Sequence, residues 1–558
     1  MKKKLLFFSL ATVFISSCGD GGGNGSPFND KPIRITPSTD LVKFKTTHFS
    51  GSGNCAQCHS NLVDKQGEDV SIDTDWRSTM MANSSKDPFW QAKTEVEILR
   101  NKPAKEVIEI KCATCHMPMA EKQAEFDNDT IAIFGDGFLN PDNKYHLLAM
   151  DGVSCTVCHQ IQDDGKLGTK ESFSGNYTID KDTPRPYRPI YGHFPNPFQN
   201  PMINSVEYIP VYSAHMTKSE LCATCHTLYT PTLDDNGNII GEIPEQTAYL
   251  EWKHSIFGDG TADDLSCQDC HMPLANGGVV ISTRPRRHLP EREPFYKHYF
   301  VGGNIFMLKI LRNNIETLAL TATEEHFDQT IIRTKDILKS SASIEIGNIA
   351  KQENVLEIPV TVINKSGHKL PTGYPSRRVW IHFIVKDKNG NVVFESGKSL
   401  RDGRIIGCDA DEGNNYEPHY QIIDSEDKVQ IYESVMADIE NKVTYTLLRG
   451  AKYIKDNRLL PEGFDKKTAT EDIKPQGNAF SDNDFVGGKD TLIYKIDITG
   501  HEGPYTIEAY LKFQSLSYAF YKDLLKDENN SEYVRKFKSM YEKEDNSGEI
   551  IAEVKKTF

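Results

Sequence analysis

Ten cysteines and five histidines of this chain fall into five copies of one short pattern. They are Cys55-Ala56-Gln57-Cys58-His59, Cys112-Ala113-Thr114-Cys115-His116, Cys155-Thr156-Val157-Cys158-His159, Cys222-Ala223-Thr224-Cys225-His226 and Cys267-Gln268-Asp269-Cys270-His271. Each reads C-x-x-C-H, with two thiols at i and i+3 followed directly by an imidazole. That spacing lets both thiols reach the two vinyl groups of one haem and brings the next residue under the iron. Paired cysteines also serve zinc ribbons and structural disulfides, but neither use requires a histidine after every pair. Histidine is 17 of 558 residues, so five such placements by chance would be on the order of one in ten to the eighth. The pattern implies five covalent c-type haems. Cys55, Cys58, Cys112, Cys115, Cys155, Cys158, Cys222, Cys225, Cys267 and Cys270 would form the thioethers, and His59, His116, His159, His226 and His271 would be the proximal iron ligands.

Five haems between Cys55 and His271 amount to roughly one per 43 residues, a density at which porphyrin supplies much of the core and leaves little room for sheet. Short helices and irregular loops are expected there, and the Gly- and Pro-rich run Tyr187 to Pro197 agrees. Close packing would also bring neighbouring haem edges together into a chain of redox centres.

The sixth ligands come from a larger pool. The candidates within the haem segment are His48, His146, His193, His215, His254, His288 and His298. His298, His215 and His146 rank first. His215 and His146 precede the histidines of the following C-x-x-C-H motifs by 11 and 13 residues, and His298 is followed by Gly302 and Gly303, which allow close approach to a ring. His48 and His254 come second. Met80 and Met81 after Trp76 compete, because a Met/His pair raises haem potential relative to bis-His, while Met117 and Met272 adjoin proximal ligands and read as packing residues. His368 and His419 lie in turn-like contexts of the C-terminal half, from which they could project into a neighbouring unit. Arg284, Arg286, Arg287 and Tyr296 are candidates for acting on a bound anion, or for pairing with haem propionates.

Several elements must deliver and position these groups. Lys2 to Lys4 and the apolar stretch Leu5 to Ser17 form a targeting segment too short to span a bilayer. The segment ends in Ile15-Ser16-Ser17-Cys18, which resembles the lipobox of bacterial lipoproteins and implies lipid on Cys18, hence a membrane-tethered exported protein. The Gly-rich stretch that follows reads as a flexible tether. The expected organisation is leader 1–17, tether 18–44, pentahaem domain 45–304, helical connector 305–340 and a β-sandwich-like domain 341–558. Within the connector, Ile305 to Leu318 and Glu325 to Lys339 carry helical periodicity. Strands are expected at Val355 to Ile363, Val379 to Val385, Val392 to Phe394, Val429 to Ser434, Thr491 to Thr499 and Tyr505 to Gln514. The fold class is therefore multidomain, a haem-packed, mostly irregular and helical unit followed by an all-β sandwich. The repeat of C-x-x-C-H, Trp and C-x-x-C-H-M-P at His59, Trp76 and Cys112 to Pro118, and again at His226, Trp252 and Cys267 to Pro273, suggests a duplicated haem pair. The acidic loops Asp409 to Glu412 and Asp482 to Asp484 could bind calcium, although neither has the central glycine of a hand loop. Cys408 is left over as a buried thiol.

Charge narrows the partners. Lys and Arg number 64 against 79 Asp and Glu, a net −15 that becomes −18 once Lys2 to Lys4 leave with the leader. No basic block is present to hold a phosphate backbone, which argues against nucleic acid. An acidic surface would instead steer basic redox proteins.

Residues 49 to 304 resemble multihaem c-type cytochromes of the cytochrome c-554 type, related to the haem domains of hydroxylamine oxidoreductase and cytochrome c nitrite reductase. The resemblance rests on the five motifs, Cys270-His271-Met272-Pro273 and Gly152-Val153-Ser154-Cys155. Gly367 to Gly373, Pro375-Ser376-Arg377-Arg378 and Lys455 to Pro461 look like the β domain appended to many members. The resemblance implies bis-His haems in stacked and perpendicular pairs and electron transfer between respiratory partners outside the cytoplasm, on the periplasmic or cell-surface side of a membrane. The alternative is an oxidoreductase in which one open haem acts on nitrite, hydroxylamine or a sulfur oxyanion. An electron carrier is the expectation favoured over an enzyme.

Overall fold

A computed structural model describes residues 40–284, 289–413 and 415–558. The leader, Cys18 and most of the tether lie outside the described residues, as do Arg286, Arg287 and His288. Among the described residues no helix is long and apolar enough to cross a membrane.

Each C-x-x-C-H motif sits on or at the end of a short helix: Ser52–His59, Lys105–His116, Cys155–Cys158, Ser219–His226 and Cys267–His271. On a helix, positions i, i+3 and i+4 share one face, so local structure alone gathers two thiols and an imidazole on one side. Two of these helices end at a methionine of almost the same conformation, Met117 at φ −135° and ψ 47° and Met272 at φ −135° and ψ 67°. In both echoed segments the tryptophan is buried and donates its indole N–H to a backbone carbonyl, Trp76 to Val153 O at 3.0 Å and Trp252 to Leu265 O at 2.8 Å. Sheet is sparse in this half, as expected: among the described residues it is confined to the short parallel pair Pro189–Gly192 and Ile209–Tyr212 and one longer hairpin. The hairpin Thr227–Leu233 and Ile239–Thr247 leaves directly from His226 and reaches the C-terminal half, where Thr232 Oγ1 donates to Gly450 O and Tyr453 Oη donates to Pro244 O at 2.5 and 3.0 Å.

The C-terminal half contains a sandwich of two five-stranded sheets. One runs Ile422–Ile423, Lys489–Asp497, Val355–Asn364 and Ala342–Ile346, with Ala350–Gln352 also on Val355–Asn364. The other runs Ile431–Tyr432, Arg378–Lys386, Thr506–Gln514 and Glu549–Thr557, with Val392–Ser396 also on Arg378–Lys386. Val355–Asn364 alternates half-buried and buried residues along its length, so Leu356, Ile358, Val360 and Val362 enter the core. They meet Val379, Ile381, Phe383 and Val385 of the opposite sheet, and Phe383 stacks on Tyr494 at 3.8 Å.

The C-terminal half is not all β, contrary to expectation. Tyr518–Leu524 and Glu532–Tyr541 are helices inserted before the last strand. Val534, Phe537, Met540 and Tyr541 form an apolar stripe that packs with Ala92 and Val96 of helix Pro88–Arg100 and with helix Ile305–Arg312. Arg100 fixes this contact by donating to Asp523 and Asp527 at 2.6 and 2.9 Å. Of the two helices expected between the halves, Glu324–Ser340 is close to its expected span, and the first is shorter, Ile305–Arg312.

Candidate haem-binding cavity

One continuous cavity of about 2040 Å³ is lined by all ten motif cysteines and all five motif histidines. A small-molecule pocket is usually about 300–1,000 Å³, so this is space for several large groups. None of the eleven described cysteines forms a disulfide. The thiol of Cys55 lies against that of Cys155, Cys115 against Cys225, and Cys222 against Cys267. These three approaches join the first motif to the third, and the second, fourth and fifth to one another, around the same cavity.

Four of the five motif histidines have Nδ1 engaged by a backbone carbonyl. Nδ1–H of His59, His159 and His271 donates to the carbonyls of Ile281, Tyr191 and Val301, each at 2.7 Å, and His116 donates to Ser84 O at 3.3 Å. That bond fixes the tautomer and leaves Nε2 with its lone pair for iron. Burial favours the neutral form, holding His116 and His271 down at about 4 and lowering His59, His159 and His226. The residues present therefore fit haem c: paired thiols, a neutral imidazole beside each pair and a large apolar space shared among them.

The second histidines divide sharply. His298 lines the cavity, donates Nδ1–H to Tyr296 O at 3.1 Å and is buried close to His159 and His59, with burial pushing it down to about 3. His368 also lines the cavity; its Nδ1 donates to Lys369 O at 2.9 Å, and its ring lies 6.3 Å from that of His271 with the planes near parallel. His193 is on the wall, with Nε2 bonded to Pro294 O at 2.9 Å. His215 and His48 have both ring nitrogens engaged. The partners are Ser213 Oγ and Ile161 O for His215, and Thr47 Oγ1, Gln123 Oε1 and Lys181 O for His48. His146 bonds Phe138 O and His254 bonds Leu250 O, both away from the cavity wall. Met80 and Met81 are half-buried on the wall.

His419 lies inside the C-terminal half. Nε2 bonds Asp482 at 2.9 Å, and Nδ1 accepts from Gln430 and Asn457 at 3.0 and 3.2 Å. The acidic loop at Asp482 holds a cation of its own, since Lys466 Nζ donates to the carbonyls of Ala479, Asp482 and Phe485. In the other acidic loop, Asp411 takes a two-pronged ion pair from the buried Arg378 at 3.1 and 2.8 Å. Cys408 is buried beside it, and burial pushes its thiol well up.

Arg377 and Tyr374 escaped sequence reasoning as site residues. Both line the cavity; Arg377 sits close enough to His226 to lower its basicity, and Tyr374 buries a hydroxyl with no hydrogen-bond partner. The only available signal was the turn sequence Gly373-Tyr374-Pro375-Ser376-Arg377, which does not reveal that it meets the cavity. Arg284 is exposed and Tyr296 half-buried on the wall.

Short motif helices thus surround a common cavity, and residues of the C-terminal half line one side of it. Among solved structures the chain resembles the penta-heme cytochrome c552 from Thermochromatium tepidum, at 15% identity and a TM-score of 0.51, covering 91% of this chain and 98% of that one. The likeness extends across both halves and shows a shared fold. No family model matches the chain, and no curated protein matches it.

Proposed function

We propose that this protein is an exported pentahaem c-type cytochrome that passes single electrons between redox proteins, tethered to a membrane through lipid on Cys18. The observation that carries the reading is the single cavity lined by the cysteines and histidines of all five C-x-x-C-H motifs. Haem supplies the one-electron chemistry. The chain's residues anchor it twice per group, hold each proximal imidazole neutral and exclude water. The net charge of −15 for the full chain favours basic partners and salt-sensitive encounter. Stopped-flow reduction by a small basic cytochrome tests this: rates that fall steeply with ionic strength are expected, and slow, salt-independent exchange with every donor and acceptor tried would overturn it.

One observation favours a second reading, catalysis at the His116 motif. The ring stacked on His116 is Trp90, at 4.6 Å. The wall near Cys112 carries Lys93, Glu97, Glu245 and the unpartnered hydroxyl of Tyr374. Lys93 is paired with Glu97 at 2.7 Å, which leaves Glu245 and the Tyr374 hydroxyl as the groups that could supply protons to a bound ligand. Binding of cyanide or nitrite to one high-spin haem, weakened in Tyr374→Phe, would support this reading; five six-coordinate haems and no ligand binding would dismiss it.

A further inference from the structure

The ring centroids of His271 and His368 lie 6.3 Å apart on the cavity wall, with planes 11° from parallel. Two imidazoles bound to opposite sides of one metal would have donor nitrogens about 4 Å apart, from two metal–nitrogen bonds of about 2.0 Å, which puts the ring centres about 6 Å apart. Both side chains commit Nδ1 to a backbone carbonyl, His271 to Val301 and His368 to Lys369, so each keeps the lone pair of Nε2 for a metal.

His368 is also held as a ligand must be. Its carbonyl accepts from Asn364 Nδ2 at 2.8 Å and Ser366 Oγ at 2.9 Å, closing the turn that presents the ring. The next residue, Lys369, donates its backbone N–H to Glu251 at 3.1 Å, tying the turn to helix Ala248–Lys253 of the haem half. Gly367 packs so closely on Trp252 and Phe257 that a Cβ there would lie 3.3 Å from each ring. The imidazole therefore comes from the sandwich but is placed by contacts with the haem half.

From this geometry we infer that His368 is the sixth ligand of the haem carried by Cys267, Cys270 and His271, so that the C-terminal sandwich completes a haem site. The inference rests on the reading of the chain as a multihaem cytochrome. It makes the sandwich part of the redox centre: the ligand state of one haem depends on docking of the two halves.

The test is haem counting by pyridine haemochrome together with low-temperature EPR on the full-length wild type, His368→Ala and His368→Met. Five haems in each protein, with about one fifth of the low-spin signal converted to high-spin in His368→Ala and restored by added imidazole, is the expected result. His368→Met retains a ligand of similar reach and should show one Met/His signature in place of a bis-His one. Unchanged low-spin signals in either purified variant would overturn the assignment, and the methionine variant decides the matter should the alanine variant fail to fold. Fewer than five haems in the wild type would instead overturn the pentahaem reading, so the two failures are separable.

Discussion

Glu251→Gln should loosen the joint between the two halves of the molecule. Glu251 is fully buried and accepts four hydrogen bonds. Arg458 and Thr247 donate to Oε1 at 2.9 and 2.8 Å, and the Lys369 backbone and Thr372 donate to Oε2 at 3.1 and 2.6 Å. Arg458 and Lys369 are themselves held by Asp456, at 2.9 and 2.8 Å for the two Arg458 contacts and 2.6 Å for Lys369. Two anions and two cations thus form a neutral buried quartet. Neutralising one member leaves a net positive charge out of water, a change that costs about 3–5 kcal/mol in buried pairs. Asp456 remains to compensate, which favours the lower end, about 3 kcal/mol. At roughly 2–4 °C per kcal/mol for a domain of this size, the sandwich transition should fall by about 6–12 °C. Thermal unfolding followed by far-UV circular dichroism and by haem absorbance measures it, and a cycle with Lys369→Met should show coupling of about 1–3 kcal/mol. A midpoint within about 1 °C of wild type would refute the claim that this quartet secures the joint.

Three further outcomes follow from the same geometry. Burial pushes the Glu251 and Asp456 carboxyls up, but Arg458 and Lys369 more than offset this and hold both below the usual carboxylate range. Their contribution to stability is therefore complete above about pH 5 and is lost as pH falls below about 4 through the folded values, so the gap between wild type and Glu251→Gln in denaturant titrations should shrink with acidification. His215→Gln should leave every haem spin state unchanged, because both of its ring nitrogens are bonded to protein atoms, yet should cost about 1–3 kcal/mol in the same titrations by disturbing a buried pair of hydrogen bonds. Cys408, buried and shifted upward, should resist iodoacetamide in the folded protein and react on unfolding, as judged by peptide mass mapping.

The motifs were legible because haem attachment depends on local spacing: a cysteine, two residues, a cysteine and a histidine occupy one turn of helix wherever the chain goes. The strands Val355–Asn364, Arg378–Lys386 and Thr506–Gln514 were legible for a similar reason, since alternating burial in the first and runs rich in β-branched and aromatic residues in the other two are local signals. What lay beyond the sequence was everything set by long-range approach. Nothing near His215 or His48 reveals that carbonyls of Ile161 and Lys181 occupy their nitrogens, and nothing in Gly367-His368-Lys369 reveals that Trp252 and His271 lie close by. Gly303 illustrates the same point. Close approach to a ring is what it permits, but the ring it meets is Phe513 of the sandwich, 2.6 Å from where a Cβ would stand. The helix Glu532–Tyr541 carries Val534, Phe537 and Tyr541 at helical spacing, a pattern local enough to read; what lies beyond the sequence is that Ala92 and Val96 cover that stripe.

The most direct test of the central claim is the intact mass, under denaturing conditions, of the full-length protein expressed with a cytochrome c maturation system. Five haem increments, with all ten motif cysteines blocked to alkylation, are predicted. A bare polypeptide with all ten motif thiols reactive, or one carrying zinc that denaturation releases, would contradict it.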